Sequence, residues 1–379
     1  MPTDIPLSLY IHFPWCVRKC PYCDFNSHEA KGDLPEQLYI DSLLQDLEKD
    51  LSTHGAGIDR RSIDSVFMGG GTPSLFSSEA MASLMDALHV RLNLAADCEV
   101  TLEANPGTTD YEKFAGYRSA GINRLSIGVQ SFSNQHLSIL GRIHTANEVT
   151  EAYYAAREAG FTNINLDLMH GLPDQNPEGA LQDLESAITL GPEHISWYQL
   201  TLEPNTVFYK RPPTLPDDDT LWEIYERGLE CLSAAGYERY EVSAFAKPNR
   251  QAKHNLNYWQ FGDYLGIGAG AHGKITLPEA IIRTTKTRMP ADYLAGQKSN
   301  HRTIDPNDML LEYLMNTLRM NEGFSISAFS TRTKLPKSAL DDFLQAAVAR
   351  EMVTVADDRV TPTYRGLQFL NELLMLATP

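Results

Sequence analysis

Short apolar runs alternate with helical stretches through roughly the first 245 residues, and this alternation limits the fold more than any other feature of the chain. Leu7–His12 reads as a strand, Pro35–Leu51 carries apolar residues at helical spacing, and Ile63–Met68 reads as a second strand. Gly69-Gly70-Gly71 follows it, then a helix from Ser77. Glu99–Glu103, Asn123–Val129, Asn163–Met169 and His194–Leu200 read as four further strands, with helices such as Ala146–Gly160 and Gly179–Leu190 between them. Repetition of this kind implies a parallel sheet, either a barrel or a doubly wound fold. The polar residues gather where the strands end: a cysteine loop after the first, the glycine run after the second, then Glu103, Gln130, Asp167 and Thr201. Both architectures place their ligands at that face.

The alternation breaks down after about Phe245. Gly262–Gly273 holds five glycines in twelve residues, which suits close backbone approach better than a helix. Arg283–Arg302 holds five Lys and Arg against one Asp, a basic island in an acidic protein. From Asp305 onward the pattern is a helix, two short helices (about Ile326–Arg332 and Lys337–Arg350), a hairpin over Met352–Thr361, and a last helix. That order suggests a small winged-helix-like domain. The expected division is therefore residues 1–245 as a barrel unit, 246–303 as a glycine-rich and basic connecting segment, and 304–379 as the small helical domain. A length of 379 residues fits one large barrel plus a small domain.

Charge narrows the partners. Lys and Arg number 32 against 49 Asp and Glu, a net charge of −17. Sequence-independent nucleic-acid binding needs a basic face, so nucleic acid is not an expected partner. Residues 301–379 carry 8 basic and 10 acidic side chains, which counts against a DNA-binding winged helix and for a packing or lid role. No run of apolar residues is long enough to span a membrane. The start of the chain lacks a basic segment followed by a long apolar one, so the cytoplasm is the expected location. Five cysteines make a poor disulfide framework. Cys98 and Cys231, in apolar-periodic stretches, read as small buried hydrophobes.

The other three cysteines are the strongest chemical signal. Cys16-x3-Cys20-x2-Cys23 puts three thiols on one short loop. Three thiolates cannot close a four-thiolate [4Fe-4S] site, so a cluster held by them keeps one iron open for a small ligand. The competing reading is a structural zinc site completed by His12 or His28.

Tyr10-Ile-His12-Phe-Pro-Trp15-Cys16 running into Cys20-Pro-Tyr22-Cys23 resembles the loop of the radical S-adenosylmethionine (SAM) superfamily. It is similar more narrowly to the coproporphyrinogen III dehydrogenase-like branch. The resemblance extends through Gly69–Pro73, Glu103–Pro106, Gly128–Phe132, Leu140–Arg142 and Asp167–Pro173. It implies an α/β fold with a partial parallel (β/α) barrel, a [4Fe-4S] cluster on Cys16, Cys20 and Cys23, and SAM chelating the open iron. It also implies SAM-side contacts from Tyr10, Tyr22, Gly70, Gly71, Thr72, Glu103, Gln130, Arg142 and Asp167. The glycine run offers backbone N–H groups and an approach without Cβ atoms. Glu103 and Asp167 end apolar strands, where a carboxylate needs either a ligand or an internal partner such as Arg124 or Arg142.

Two features depart from the decarboxylating dehydrogenases: Phe25 stands where they have a fourth cysteine, and the cluster loop begins at residue 16, without their N-terminal extension. A third points elsewhere. His254-Asn255-Leu256-Asn257-Tyr258-Trp259 is similar to the HNxxYW motif of the HemW family of haem chaperones. An imidazole can ligate haem iron, and Tyr258 and Trp259 can pack on a macrocycle. His254, Asn255, Tyr258 and Trp259 are therefore the haem-binding candidates, although a histidine among aromatics is commonly a hydrogen-bonded structural residue. Lys253, Arg283, Lys286 and Arg288 are candidates for pairing with the propionates. The expected function is haem binding and transfer to an acceptor protein, with catalysis on a porphyrin, such as coproporphyrinogen III oxidation, as the alternative.

Overall fold

The computed structural model describes residues 5–58, 61–108, 111–296 and 299–378; Lys298 of the basic island lies outside them. The six expected strands are present as β1 Leu7–Phe13, β2 Ile63–Gly70, β3 Leu94–Ala104, β4 Arg124–Gln130, β5 Ile164–His170 and β6 His194–Gln199. Each pairs in parallel with the next in chain order. The crossovers carry α1 Glu36–Ile58, α2 Ser78–Arg91, α3 Tyr111–Ser119, α4 Ala146–Glu158 and α5 Pro177–Leu190. α1 runs on past Leu51 through Gly57, where a Cβ would lie 2.6 Å from Leu277 Cδ2. The missing side chain is what lets the helix lie against Leu277.

Period-two alternation divides each strand between two surroundings. Leu9, Ile11, Val66, Met68, Val100, Leu102, Leu125, Ile127, Leu166, Leu168 and Ile195 are fully or almost fully buried in the main core. Most of the residues between them (Ser8, Tyr10, Ser65, Glu99, Thr101, Glu103, Arg124, Ser126, Asn165, Asp167, His194 and Ser196) are polar and occupy the opposite, concave face, which Phe67 shares. A doubly wound sheet would need apolar residues on both faces. One apolar and one polar face is the signature of a sheet curled around a polar interior.

After α6 Asp218–Ala234, β7 Glu238–Glu241 and β8 Ala244–Ala246 add an antiparallel flank next to β6. α7 Lys253–Trp259 precedes β9 Asp263–Ile267, which pairs in parallel with β1. β10 His272–Thr276, β11 Ile281–Lys286 and β12 Ser299–Thr303 complete an antiparallel arm. The order is β12-β11-β10-β9-β1-β2-β3-β4-β5-β6-β8-β7, and among the described residues it does not close on itself. The fold is thus an open, partial parallel barrel. Residues 246–303, expected as a connecting segment, are built into the sheet. The glycines there permit close strand approach: a Cβ on Gly266 would sit 1.8 Å from His272 O.

The C-terminal region follows the winged-helix order: α8 Pro306–Thr317, β13 Phe324–Ser325, α9 Ile326–Thr333, α10 Asp341–Ala349, β14 Val353–Ala356 and β15 Arg359–Pro362, then two short helices. The three strands form a separate sheet ordered β13-β15-β14. Tyr313, Leu314, Phe324, Phe329, Phe343 and Val360 form its core, into which Phe261 from the turn before β9 also packs. Among the described residues, no helix is long and apolar enough to cross a membrane.

Candidate functional site

The C-terminal ends of β2 to β6 and the loop after β1 surround a cavity of about 390 Å³, within the size range of small-molecule sites. Cys16, Cys20, Cys23, Tyr22, Gly70, Gly71, Thr72, Glu103, Gln130, Arg142 and Asp167 all line it. Sequence reasoning singled out each of these. It missed Ser126, Met169, Tyr198, Gln199 and Leu200, which share the wall. Their signal was available: Ser126 and Met169 stand two residues from Gly128 and Asp167 on the same strands, Tyr198 pairs with Met169, and Gln199 and Leu200 mark the end of β6.

The cysteine loop is pinned from several sides. Cys16 Sγ donates to His28 O at 3.7 Å, and Cys23 Sγ lies 3.7 Å from Ser27 Oγ. Arg142 Nη1 lies 3.7 Å from Cys20 Sγ, while its Nη2 donates to Asn105 Oδ1 and to Gly128 O. Burial pushes the Cys16 thiol up to about 11 and raises that of Cys23, so these sulfurs need a metal or a cation to ionise. Among the described residues, no three His, Cys, Asp or Glu side chains converge on one point as a single ion requires. Zinc ligands sit about 2.3 Å from one shared ion. His12, a candidate fourth zinc ligand, has Nδ1 bonded to Tyr10 Oη and Nε2 to Asn26 O. His28 Nε2 lies 3.3 Å from Asn26 Oδ1.

This geometry bears on several expectations. Tyr10 does not line the cavity: its hydroxyl is spent on His12 and its ring stacks on Phe67. The glycine run is not a nest of available donors, because Gly70 N–H donates to Glu103 Oε2, Gly71 N–H to Phe13 O and Thr72 N–H to Trp15 O. It serves by close approach instead: Gly70 has φ of 117°, and a Cβ on Gly71 would lie 2.3 Å from Trp15 O. Neither Arg124 nor Arg142 pairs with the cavity carboxylates. Arg124 pairs with Glu99 at 3.9 Å, one layer below, and Arg142 faces Cys20.

Glu103 is consequently without a cationic partner. Burial first, and Asp167 second, push its carboxyl up to about 8. Asp167 is also raised by burial, although Ser126 Oγ and Asn165 Nδ2 donate to it at 2.8 and 2.9 Å. Two crowded acids, neither in an ion pair among the described residues, form a wall suited to a cationic, hydroxyl-bearing ligand. Gln130 sits in the left-handed region at φ 68°. Asp183 fixes the turn after it, accepting from Ser131 Oγ at 2.8 Å and Phe132 N–H at 2.7 Å. Such strain persists where the surroundings enforce it.

The HNxxYW segment lies elsewhere. It forms α7, against the concave face below the cavity, and its side chains do not line the cavity. His254 is buried, its ring stacked on Phe67 at 4.3 Å and its Nδ1 2.9 Å from Glu99 Oε1. Asn255 Nδ2 donates to Tyr240 Oη, Tyr258 packs on Tyr264, and Arg319 lies over the Trp259 ring. Tyr258 and Trp259, expected to pack on a macrocycle, thus already have an aromatic and a cationic neighbour. The same holds for the cations near the motif: Lys286 is fully buried between Asp46 and Asp50, and Lys253 pairs with Asp97. Arg283 is held by Glu312 and Tyr264. Glu99, despite burial, is drawn down to about 2 by the bond from His254 and by Arg124.

The family model of the radical SAM superfamily matches residues 10–187, and that of the HemN C-terminal domain matches residues 304–369. A protein of Escherichia coli (strain K12) named heme chaperone HemW is 52% identical over 373 residues, covering 98% of each chain. Its namesake in Haemophilus influenzae is 51% identical over 378 residues, covering 99% of each. Another in Mycobacterium tuberculosis (strain H37Rv) is 33% identical over 374 residues, covering 95% of this chain and 92% of that one. Among solved structures, coproporphyrinogen III oxidase (HemN) from Escherichia coli, described as a radical SAM enzyme, superposes with a TM-score of 0.82 at 23% identity. That match covers 100% of this chain and 91% of the other, and it speaks to the fold alone.

Proposed function

Because the chain belongs to the HemW family of heme chaperones within the radical SAM superfamily, we propose that it binds haem and passes it to an acceptor protein while holding a [4Fe-4S] cluster and SAM. The observation that carries the cofactor half is the opening of all three loop cysteines onto the same cavity as Gly70, Glu103, Gln130 and Asp167. Cys16, Cys20 and Cys23 would hold the cluster, which when bound supplies an open iron and electron transfer to SAM. Arg142 balances the thiolate charge at Cys20. Glu103 and Asp167 accept from ribose hydroxyls and face the sulfonium, and Gln130 is aimed by its turn.

The haem half rests on the family and on the HNxxYW segment. His254 is engaged on one ring face and at Nδ1. Iron ligation by His254 therefore requires α7 to shift from Phe67. The test is His254→Gln, whose amide can still donate to Glu99 but is a poor iron ligand. The reading expects the haem absorption band to shift or vanish while the iron–sulfur band and the melting temperature hold. An unchanged haem spectrum and affinity would place the iron ligand elsewhere.

A further inference from the structure

A hydrogen-bonded chain runs through the polar interior from the HNxxYW helix to the cavity. Asn255 Nδ2 donates to Tyr240 Oη at 3.0 Å, and Tyr240 Oη lies 2.9 Å from His194 Nε2. His194 Nδ1 lies 2.6 Å from Asn165 Oδ1, and Asn165 Nδ2 donates to Asp167 Oδ1 at 2.9 Å and to Ser126 Oγ at 2.7 Å. Ser126 Oγ in turn donates to Asp167 Oδ2. Ser196 Oγ also donates to Asn165 Oδ1, at 3.1 Å.

The roles along this chain are determined by its ends. Asp167 as a carboxylate only accepts, so the Asn165 amide turns its NH2 toward it and its oxygen toward His194. That oxygen requires a proton on His194 Nδ1. Burial, with Arg124 adding to it, lowers the His194 pKa far below its ordinary value, so the ring is neutral and Nε2 is an acceptor. Tyr240 fills it with its hydroxyl proton and accepts from Asn255 on the other side. Every donor in the chain therefore points toward Asp167.

We infer that Asn255, Tyr240, His194 and Asn165 form a positioning chain that fixes Asp167 as an acceptor in the cavity. One residue of the HNxxYW motif, Asn255, thereby serves the SAM site. The inference rests on the reading that Asp167 contacts SAM. Its residues alternate with the apolar ones on β5 and β6, and Tyr240 stands on β7, so sheet pairing brings them together with no sequence motif to announce it.

The test uses the full chain without haem. Long-range 1H–15N spectra of the histidine rings should show His194 neutral and protonated at Nδ1. After anaerobic cluster reconstitution, Tyr240→Phe should weaken SAM binding roughly threefold to tenfold, the usual worth of one buried hydrogen bond. Asn255→Ala should act in the same direction. Tyr237→Phe removes a buried hydroxyl bonded to Pro192 O, off the chain, and should leave SAM affinity unchanged. His194 protonated at Nε2, or equal SAM affinity in Tyr240→Phe and Tyr237→Phe, would overturn the inference. Unchanged SAM affinity in Asp167→Asn would instead overturn the cavity reading beneath it. The His194 tautomer, read without SAM, tells the two failures apart.

Discussion

Glu103 shows what the site asks of a single side chain. With its pKa near 8 against an ordinary 4.5, the folded protein holds a proton that the unfolded chain releases. A raised carboxyl pKa makes stability fall as pH rises between about 4.5 and about 8, after which the penalty is constant. Glu103→Gln removes the penalty. Ligand-free Glu103→Gln should melt above wild type, with the gap widening from about pH 5 to about pH 8. A constant gap across that range would show that Glu103 titrates normally. The same variant should bind SAM more weakly, since a sulfonium favours the ionised form of Glu103 and an amide has no such form. Glu103 and Asp167 were legible in the sequence as polar residues ending apolar strands. That neither sits in an ion pair among the described residues was not, because Arg124 lies four residues before Gly128, which faces Asp167, and stands opposite Thr101, two residues from Glu99, with which it pairs. The surroundings of His254 were hidden for a related reason. Its partners Glu99 and Phe67 lie more than a hundred residues away, and no local pattern reveals a stacked, buried imidazole.

Among the elements, the turn leaving β2 is the least tolerant. Gly70 takes a positive φ, and Gly71 passes so close to Trp15 that a methyl group would strike its carbonyl. Backbone opposite backbone cannot rotate away, so Gly71→Ala must push the cysteine loop off the end of β2. The expected cost is about 1–3 kcal/mol, typical of overpacking, together with reduced SAM affinity. A variant with wild-type melting temperature and affinity would show that the loop adjusts freely. The strands themselves were readable from alternating burial, and the run of glycines marked the turn. The arm β9–β12 was not readable, because its glycines look like a linker until β9 is found paired with β1.

At the scale of the whole molecule, α7 joins three parts. It packs on β2 through Phe67 and His254, and Tyr240 on β7 holds Asn255. Arg319, after α8, covers Trp259 and also pairs with Glu241. Haem ligation at His254 would therefore be felt both below the cavity and at the C-terminal domain. Phe25, exposed on the cavity rim, occupies the position of the additional cysteine in the decarboxylating dehydrogenases. The reconstituted protein, with SAM and a reductant, is expected to leave coproporphyrinogen III unconverted. Robust decarboxylation would show that the retained fold also carries that activity. The central claim is that one loop holds a cluster whose open iron faces the cavity, and the most direct measurement is electron paramagnetic resonance of the anaerobically reconstituted, reduced chain, recorded with and without SAM. The account predicts a [4Fe-4S] signal that changes shape when SAM is added and is absent when Cys16, Cys20 and Cys23 are replaced by alanine. A signal indifferent to SAM, or a protein that takes up zinc and no sulfide under the same conditions, would contradict it.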